Sequence, residues 1–93
     1  MILTDIAKED FRKWIKENDY PVSLWALEDG LIWKSVEYAL VSEWLDALPS
    51  SMIGGNSFAD ILYVSLNTMK YKEAIEHAIK ISNEWYNSQH FAQ

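Results

Sequence analysis

Apolar residues recur three or four positions apart along most of the chain, which is the spacing of amphipathic α-helices. In the first such stretch, Thr4 or Asp5 can cap a helix, because their side-chain oxygens can accept hydrogen bonds from the first turn. The helix must end before Pro21, since proline disfavours helical geometry at the residue that precedes it. Its apolar face, which we expect to pack against a core, consists of Leu3, Ala7, Phe11, Trp14 and Ile15.

Residues 22–33 fit two different structures. Ser23 could cap a short helix that ends near Gly30. Alternatively, Glu28-Asp29-Gly30 could form the turn of a small β-hairpin around residues 24–33. Neither side of this turn alternates cleanly between apolar and polar residues, so the pattern favours the helix and leaves the hairpin as the alternative.

Further helices fill the rest of the chain. A segment from about residue 31 to residue 48 is apolar over most of its circumference, which predicts a central helix. Asn56 or Ser57 can cap the next helix, and the last helix has a ladder of lysines and glutamates opposite its apolar face. Its polar end, residues 87–93, is expected to fray. The pattern therefore predicts a mainly α, compact single domain of four to five helices over residues 1–93.

The composition agrees with one small domain and narrows the classes of function. Of the 93 residues, 49% are hydrophobic and 14% are aromatic, including five tryptophans. There is no apolar run of about 18 residues and no basic-flanked apolar start, so we expect neither a membrane span nor secretion. The absence of cysteine from the sequence excludes disulfides, cysteine-ligated zinc and thiol catalysis. We therefore expect a cytoplasmic protein.

The negative charge is concentrated in the middle of the sequence. The formal net charge is −6 at pH 7, which argues against direct binding to nucleic acid. Residues 17–60 hold eight acidic residues and one basic residue, Lys34. This segment is either a solvated surface that keeps the protein soluble or a negative face for a basic partner. The candidate partner-binding residues are Glu17, Asp19, Glu28, Asp29, Glu43, Asp46 and Asp60.

Glu37 interrupts the apolar side of the central helix. A rotation of about 100° per residue places it on the same side as Trp33 and Trp44. Burial of an unpaired carboxylate is costly, so Glu37 either pairs with a base or faces a subunit or partner interface. A catalytic carboxylate is the third alternative. The candidate bases are Arg12, Lys34 and His77, and the candidate interface residues are Trp33, Glu37 and Trp44.

The sequence contains few residues that could support catalysis. There are two histidines, His77 and His90, and no G-x-S-x-G, H-E-x-x-H or phosphate-loop pattern. Glu73 and His77 lie one turn apart on the last helix, but two ligands do not hold zinc, and a hydrogen-bonded pair explains them. We therefore expect a protein that is not an enzyme and that uses no metal or other cofactor.

Part of the chain resembles a family of hydrolases. Phe58-Ala59-Asp60-Ile61-Leu62-Tyr63, together with Lys72-Glu73-Ala74-Ile75-Glu76-His77-Ala78, is similar to the paired helices near the end of ADP-ribosylglycohydrolases. That family continues into Gly-Gly-Asp and Asp-Thr metal motifs, where this chain has Ser82-Asn83-Glu84-Trp85. The resemblance implies a pair of packed helices, and a catalytically degenerate remnant of such an enzyme as one alternative function.

The overall character of the chain resembles a second group. A cysteine-free, acidic, tryptophan-rich chain of this length is similar to the small early proteins by which T-even-type phages counter host defences, including the anti-restriction nuclease type. The resemblance implies a non-catalytic and often dimeric protein of the host cytoplasm, whose carboxylates replace DNA phosphates on a basic DNA-binding partner. The resulting hypothesis is a DNA-mimic inhibitor of a nucleic-acid-binding or restriction protein. The alternative is a helical regulatory subunit that docks through an aromatic surface.

Overall fold

The computed structural model describes residues 1–21, 23, 26–27, 29–30 and 32–91. In this part of the chain there are four α-helices and one short 3-10 helix, and there is no strand. The mainly helical fold is the one that the apolar spacing predicts. The helices are α1 (Asp5–Glu17), α2 (Lys34–Asp46), α3 (Phe58–Leu66) and α4 (Tyr71–Phe91), and the 3-10 helix (Ser50–Ile53) lies between α2 and α3.

Helix α4 is the longest helix and packs against α1, α2, α3 and the 3-10 helix. The ring of Trp44 in α2 joins three helices, because it lies 5.8 Å from the ring of Phe11 in α1 and 5.1 Å from the ring of Tyr86 in α4. Together the described residues form a compact body of 35 × 33 × 19 Å. No helix within the described residues is both long enough and apolar enough to cross a membrane. The largest fully buried apolar side chains are Leu3, Phe11, Ile15, Leu27, Val41, Leu45, Ile53, Phe58 and Ile79.

The N-terminus of α1 is capped by side chains of α4. Thr4 precedes α1 but makes no side-chain capping hydrogen bond. Instead, Oδ1 of Asn87 accepts a hydrogen bond from the N–H of Ala7 (2.8 Å), and Oδ1 of Asn83 accepts one from the N–H of Thr4 (3.0 Å). The amide nitrogen of Asn87 also donates to the carbonyl oxygen of Thr4 (3.1 Å). These bonds hold α4 as far as Asn87, and the helix continues to Phe91. The sequence predicts that residues 87–93 fray, and of these residues 92 and 93 lie outside the described residues.

The described residues between α1 and α2 do not form the alternative β-hairpin. The N–H of Ala26 donates to Oγ of Ser23 (3.3 Å), and the N–H of Leu27 donates to the carbonyl oxygen of Ser23 (3.1 Å). The N–H of Gly30 in turn donates to the carbonyl oxygen of Leu27 (3.4 Å). These local bonds, with Ser23 as the cap, use groups that a hairpin would need for pairing across its strands. Five residues of this segment lie outside the described residues: Val22, Leu24, Trp25, Glu28 and Leu31.

Gly54 ends the 3-10 helix and lies directly against Trp85 of α4. Its φ of 76° is in the left-handed region that favours glycine. A Cβ atom at this position would approach Cδ2 of Trp85 to 2.6 Å. Glycine therefore allows the loop before α3 to lie against the indole ring of α4.

Candidate functional site

Glu37 is buried and pairs with the α-amino group of the chain. Only 8% of the residue is exposed. Its Oε1 atom lies 3.9 Å from the nitrogen of Met1, and its Oε2 atom accepts a hydrogen bond from the N–H of Ile2 (3.3 Å). The predicted pairing with a base is therefore present, but the base is a main-chain amine rather than a side chain. It is none of the three predicted candidates, Arg12, Lys34 and His77.

Trp33, Glu37 and Trp44 do not form one exposed surface. Trp44 is 3% exposed and packs in the core, whereas Trp33 is 81% exposed. The difference arises because Trp33 precedes the first turn of α2, while Trp44 lies in the part of the helix that α1 and α4 cover. Of the three predicted interface residues, Trp33 alone is exposed at the surface.

The candidate acidic residues are all at the surface where the structure describes them. Within the described residues, none of them makes an ion pair within 4.0 Å. Their charges are therefore not neutralised by neighbouring side chains. The exposed residues are Glu17, Asp19, Asp29, Glu43, Asp46 and Asp60, and Glu28 lies outside the described residues.

Four of these carboxylates belong to the carboxyl ends of α1 and α2. The hydroxyl of Tyr20, just after α1, donates a hydrogen bond to Oε2 of Glu43 in α2 (3.0 Å). The ring of Tyr20 also lies 5.0 Å from the ring of Trp14 in α1, so this residue ties the end of α1 to the last turn of α2. We call the four carboxylates at this junction the acidic corner: Glu17, Asp19, Glu43 and Asp46.

The carboxylates of α2 stand where helix electrostatics disfavours them. The carboxyl end of a helix carries a partial negative charge, so a cation there is stabilising by about 0.3–1 kcal/mol and an anion is unfavourable. The last turn of α2 has no basic residue and contains both Glu43 and Asp46. Partial burial raises the pKa of the Asp46 carboxyl, and the hydrogen bond to Glu43 raises the pKa of the Tyr20 hydroxyl. The carboxylates of this turn therefore do not stabilise the helix to which they belong.

Asp19 occupies a second position that is unusual for a carboxylate. Its φ of 54° lies in the left-handed region, and it is the second residue after α1, where glycine or asparagine is the usual choice. The N–H of Asp19 donates to the carbonyl oxygen of Lys16 (3.3 Å), and that of Tyr20 donates to the carbonyl oxygen of Ile15 (3.3 Å). This turn brings Tyr20 back onto the end of α1 and leaves the Asp19 side chain exposed.

Asp60 lies away from the acidic corner, and its position is explained by the start of α3. It lies in the first turn of α3, where a carboxylate is favourable, and its N–H donates to Oγ of Ser57, the cap of that helix (3.2 Å). It also lines a cavity of about 360 Å³ between α3 and α4, together with His77 and Trp85. Helix capping and helix electrostatics therefore account for Asp60 without a partner.

Neither a metal site nor a similarity to a known protein indicates a function for the chain. Within the described residues, no three histidine, aspartate or glutamate side chains lie close enough together to hold a metal ion. No protein-family model, no curated protein and no solved structure matches the chain. Function must therefore be inferred from the geometry and charge of the acidic corner.

Proposed function

We propose that the protein binds a basic surface of another protein through the acidic corner and thereby blocks a nucleic-acid-binding site. The observation that carries this proposal is that exposed carboxylates without an ion pair collect at two helix carboxyl ends, where helix electrostatics disfavours them. Positions at which a sequence departs from what stability favours are often functional. A partner that places cationic side chains beside these carboxylates would relieve the unfavourable interaction with the helix ends, and this relief would favour binding.

The chemistry of the acidic corner resembles that of a phosphate backbone in one respect. Carboxylates and the last carbonyl groups of a helix are hydrogen-bond acceptors, so the junction of α1 and α2 offers an acceptor-rich, negative surface. Arginine and lysine side chains bind such groups by charge-assisted hydrogen bonds, and opposite fields also accelerate the encounter. A protein surface that evolved to bind phosphates carries these side chains, which favours a nucleic-acid-binding partner.

The extent of the acidic corner limits how much of a nucleic-acid site one copy can cover. Duplex DNA carries one negative charge per about 1.7 Å of its axis, so four carboxylates correspond to a short stretch of backbone. Two copies would present two such groups, which is why the proposal includes a homodimer as the inhibitory form.

The experiment is capture of partners from the native cell on immobilised protein, followed by elution with increasing salt. Basic DNA-binding proteins should be retained at low salt and released as salt rises, and the captured protein should lose DNA binding when the free chain is added. A variant with all four carboxylates of the acidic corner changed to amides should retain little. Equal loss from a control set on α1 and α4 would indicate only a general effect of net charge. The control changes are Glu9→Gln, Glu73→Gln, Glu76→Gln and Glu84→Gln.

A second candidate function is that of a regulatory subunit that docks through exposed apolar residues. The observation that favours it is the outer face of α3, where Tyr63 is 70% exposed and Val64 is 65% exposed. A partner held in this way would stay bound at high salt and would be lost from a variant with Tyr63→Ser and Val64→Ser. The amide variant of the acidic corner would still bind it, so the two candidates give opposite results.

A further inference from the structure

A groove between the first halves of α2 and α4 differs in charge from the acidic corner. Lys34 and Tyr38 line it from α2, and Tyr71 and Lys72 line it from α4, with Ile75 as part of its apolar surface. Its volume is about 510 Å³. Small-molecule sites usually occupy about 300–1,000 Å³, so the groove is large enough for an organic ligand.

Two helix N-termini and two lysines give this groove a positive character. Lys34 is the first residue of α2, and Lys72 is the second residue of α4. Both side chains are exposed, and within the described residues neither forms an ion pair within 4.0 Å. The N-terminus of a helix carries a partial positive charge and free N–H donors, which together favour an anion. Glu37 and Glu73 lie in the first turns of the same two helices and oppose the potential of the helix ends, so the two lysines are the main source of positive charge in the groove.

The residues before these two helices provide no side-chain acceptor for the first N–H groups, although the carbonyl oxygen of Trp33 accepts from Val36 (3.0 Å) and Glu37 (3.1 Å). Trp33 precedes α2 and makes no side-chain capping bond. Lys70 precedes α4, and its side chain is a hydrogen-bond donor without acceptor capacity. Neither helix start is thus occupied by a capping side chain from the residue before it, as α3 is by Ser57.

The carboxylate that lines the groove is paired with a lysine outside it, and the charge of Lys34 also lowers its pKa. Oε1 of Glu76 forms a salt bridge with Nζ of Lys80 (3.0 Å), and this contact lowers the pKa of the Glu76 carboxyl. Glu37, on the neighbouring turn of α2, is buried against the amine of Met1. The lysines of the groove therefore face no unpaired carboxylate among its lining residues.

Two aromatic rings complete the groove. Tyr38 is half-buried. Burial raises the pKa of its hydroxyl, with further increases from the charges of Glu76 and Glu37. Tyr71 is 62% exposed. Aromatic side chains at the edge of a site can stack on a flat ring of a ligand.

We propose that this groove binds a small planar aromatic anion, with its charged group between Lys34 and Lys72 and its ring against Tyr38 and Tyr71. Nucleoside monophosphates and aromatic carboxylates share this chemistry of a flat ring joined to an anionic group. The site uses none of the residues of the acidic corner. Its test is therefore independent of the test of the proposed inhibitory function.

The test is a titration of the full chain followed by two-dimensional amide NMR, with four probes. Adenosine 5′-monophosphate and 2-naphthoate combine a ring with an anion, whereas adenosine has the ring alone and inorganic phosphate has the anion alone. We expect the first two to shift the amide signals of Lys34, Ser35, Tyr71 and Lys72 saturably, with affinities at least about tenfold higher than those of the single-feature probes. Whichever of these two probes binds more tightly shows whether the groove prefers a nucleotide or an aromatic acid.

A charge-matched pair of variants separates the groove from net charge. Changing Lys34→Gln and Lys72→Gln together should weaken binding of the tighter probe by about tenfold or more, as expected for loss of two charge-assisted contacts. Changing Lys13→Gln and Lys16→Gln on α1 should leave it unchanged. The inference is overturned if no probe shifts the groove signals saturably, if phosphate or adenosine binds as tightly as the combined probes, or if both double variants lose affinity equally.

Discussion

Oδ1 of Asn87 accepts a hydrogen bond from the N–H of Ala7 at 2.8 Å, across 80 positions of sequence. Because the amide nitrogen of Asn87 also donates to Thr4, one side chain caps α1 and closes the terminal helices against each other. Changing Asn87→Ala should lower the free energy of unfolding by about 1–2 kcal/mol, as for loss of a helix cap, measured by urea denaturation. The exposed neighbour Gln89→Ala is the control and should have little effect. An equal loss from both would mean that the cap does not stabilise the fold.

The contact between Gly54 and Trp85 predicts a pair of unequal glycine substitutions. Gly54→Ala should destabilise by about 2–4 kcal/mol, because it combines an unfavourable left-handed φ with a Cβ atom 2.6 Å from the indole. Gly55→Ala is the matched control, since Gly55 also has a positive φ but nothing lies within 4 Å of its Cβ position. It should cost about 1 kcal/mol, the cost of the backbone conformation alone. Similar losses in thermal unfolding of the two variants would contradict the contact.

Ser82 is fully buried in α4, and its Oγ atom has no hydrogen-bond partner. Changing Ser82→Ala should therefore raise the free energy of unfolding by about 1 kcal/mol, since it removes an unsatisfied polar group from the core. Ser65 is the comparison, because its buried hydroxyl donates to the carbonyl oxygen of Ile61 (2.9 Å). Ser65→Ala should give no such gain. A loss of stability in Ser82→Ala would mean that the hydroxyl is satisfied in solution.

Removal of the Asp46 charge from the acidic corner should increase the stability of the fold in a pH-dependent way. Partial burial of the carboxyl raises the pKa of Asp46 in the folded state, so its protonated form favours folding and its ionised form opposes it. The contribution of Asp46 is therefore favourable below the ordinary value of 3.8 and is lost as the pH rises through the raised folded-state pKa. Asp46→Asn should be more stable than the parent at pH 7, and the difference should disappear in acid. Urea denaturation at several pH values measures this, and a variant less stable at pH 7 would contradict the cost assigned to this carboxylate.

The helices could be predicted from the sequence because each depends on local spacing. The apolar positions Ala74, Ala78 and Ile79 mark the buried face of α4 without knowledge of its neighbours, and Ser23 and Ser57 are recognisable as caps. The same spacing could not place Trp33 outside the core and Trp44 inside it, because this depends on how far α1 and α4 extend along α2.

The long-range contacts could not be predicted in this way. From the sequence alone Asn87 belongs to a polar tail, since the N–H groups that it caps lie at the other end of the chain. The partner of Glu37 is a main-chain amine, which is not represented by any side chain. The acidic residues were recognisable as a group, but their sorting into a corner and a separate helix cap at Asp60 depends on the Tyr20–Glu43 bond and on the start of α3.

The most direct test of the acidic corner is amide NMR of the protein titrated with a hexa-arginine peptide at low salt. The account predicts that shift changes concentrate at residues 17–20 and 43–47, and that they disappear when the four carboxylates are changed to amides. Binding should also weaken steeply as salt is added, since the contacts are between exposed charges. Shift changes spread evenly over all exposed carboxylates, including Glu73, Glu84 and Asp60, would contradict the account, because they would show that the corner is no more attractive to cations than the rest of the surface.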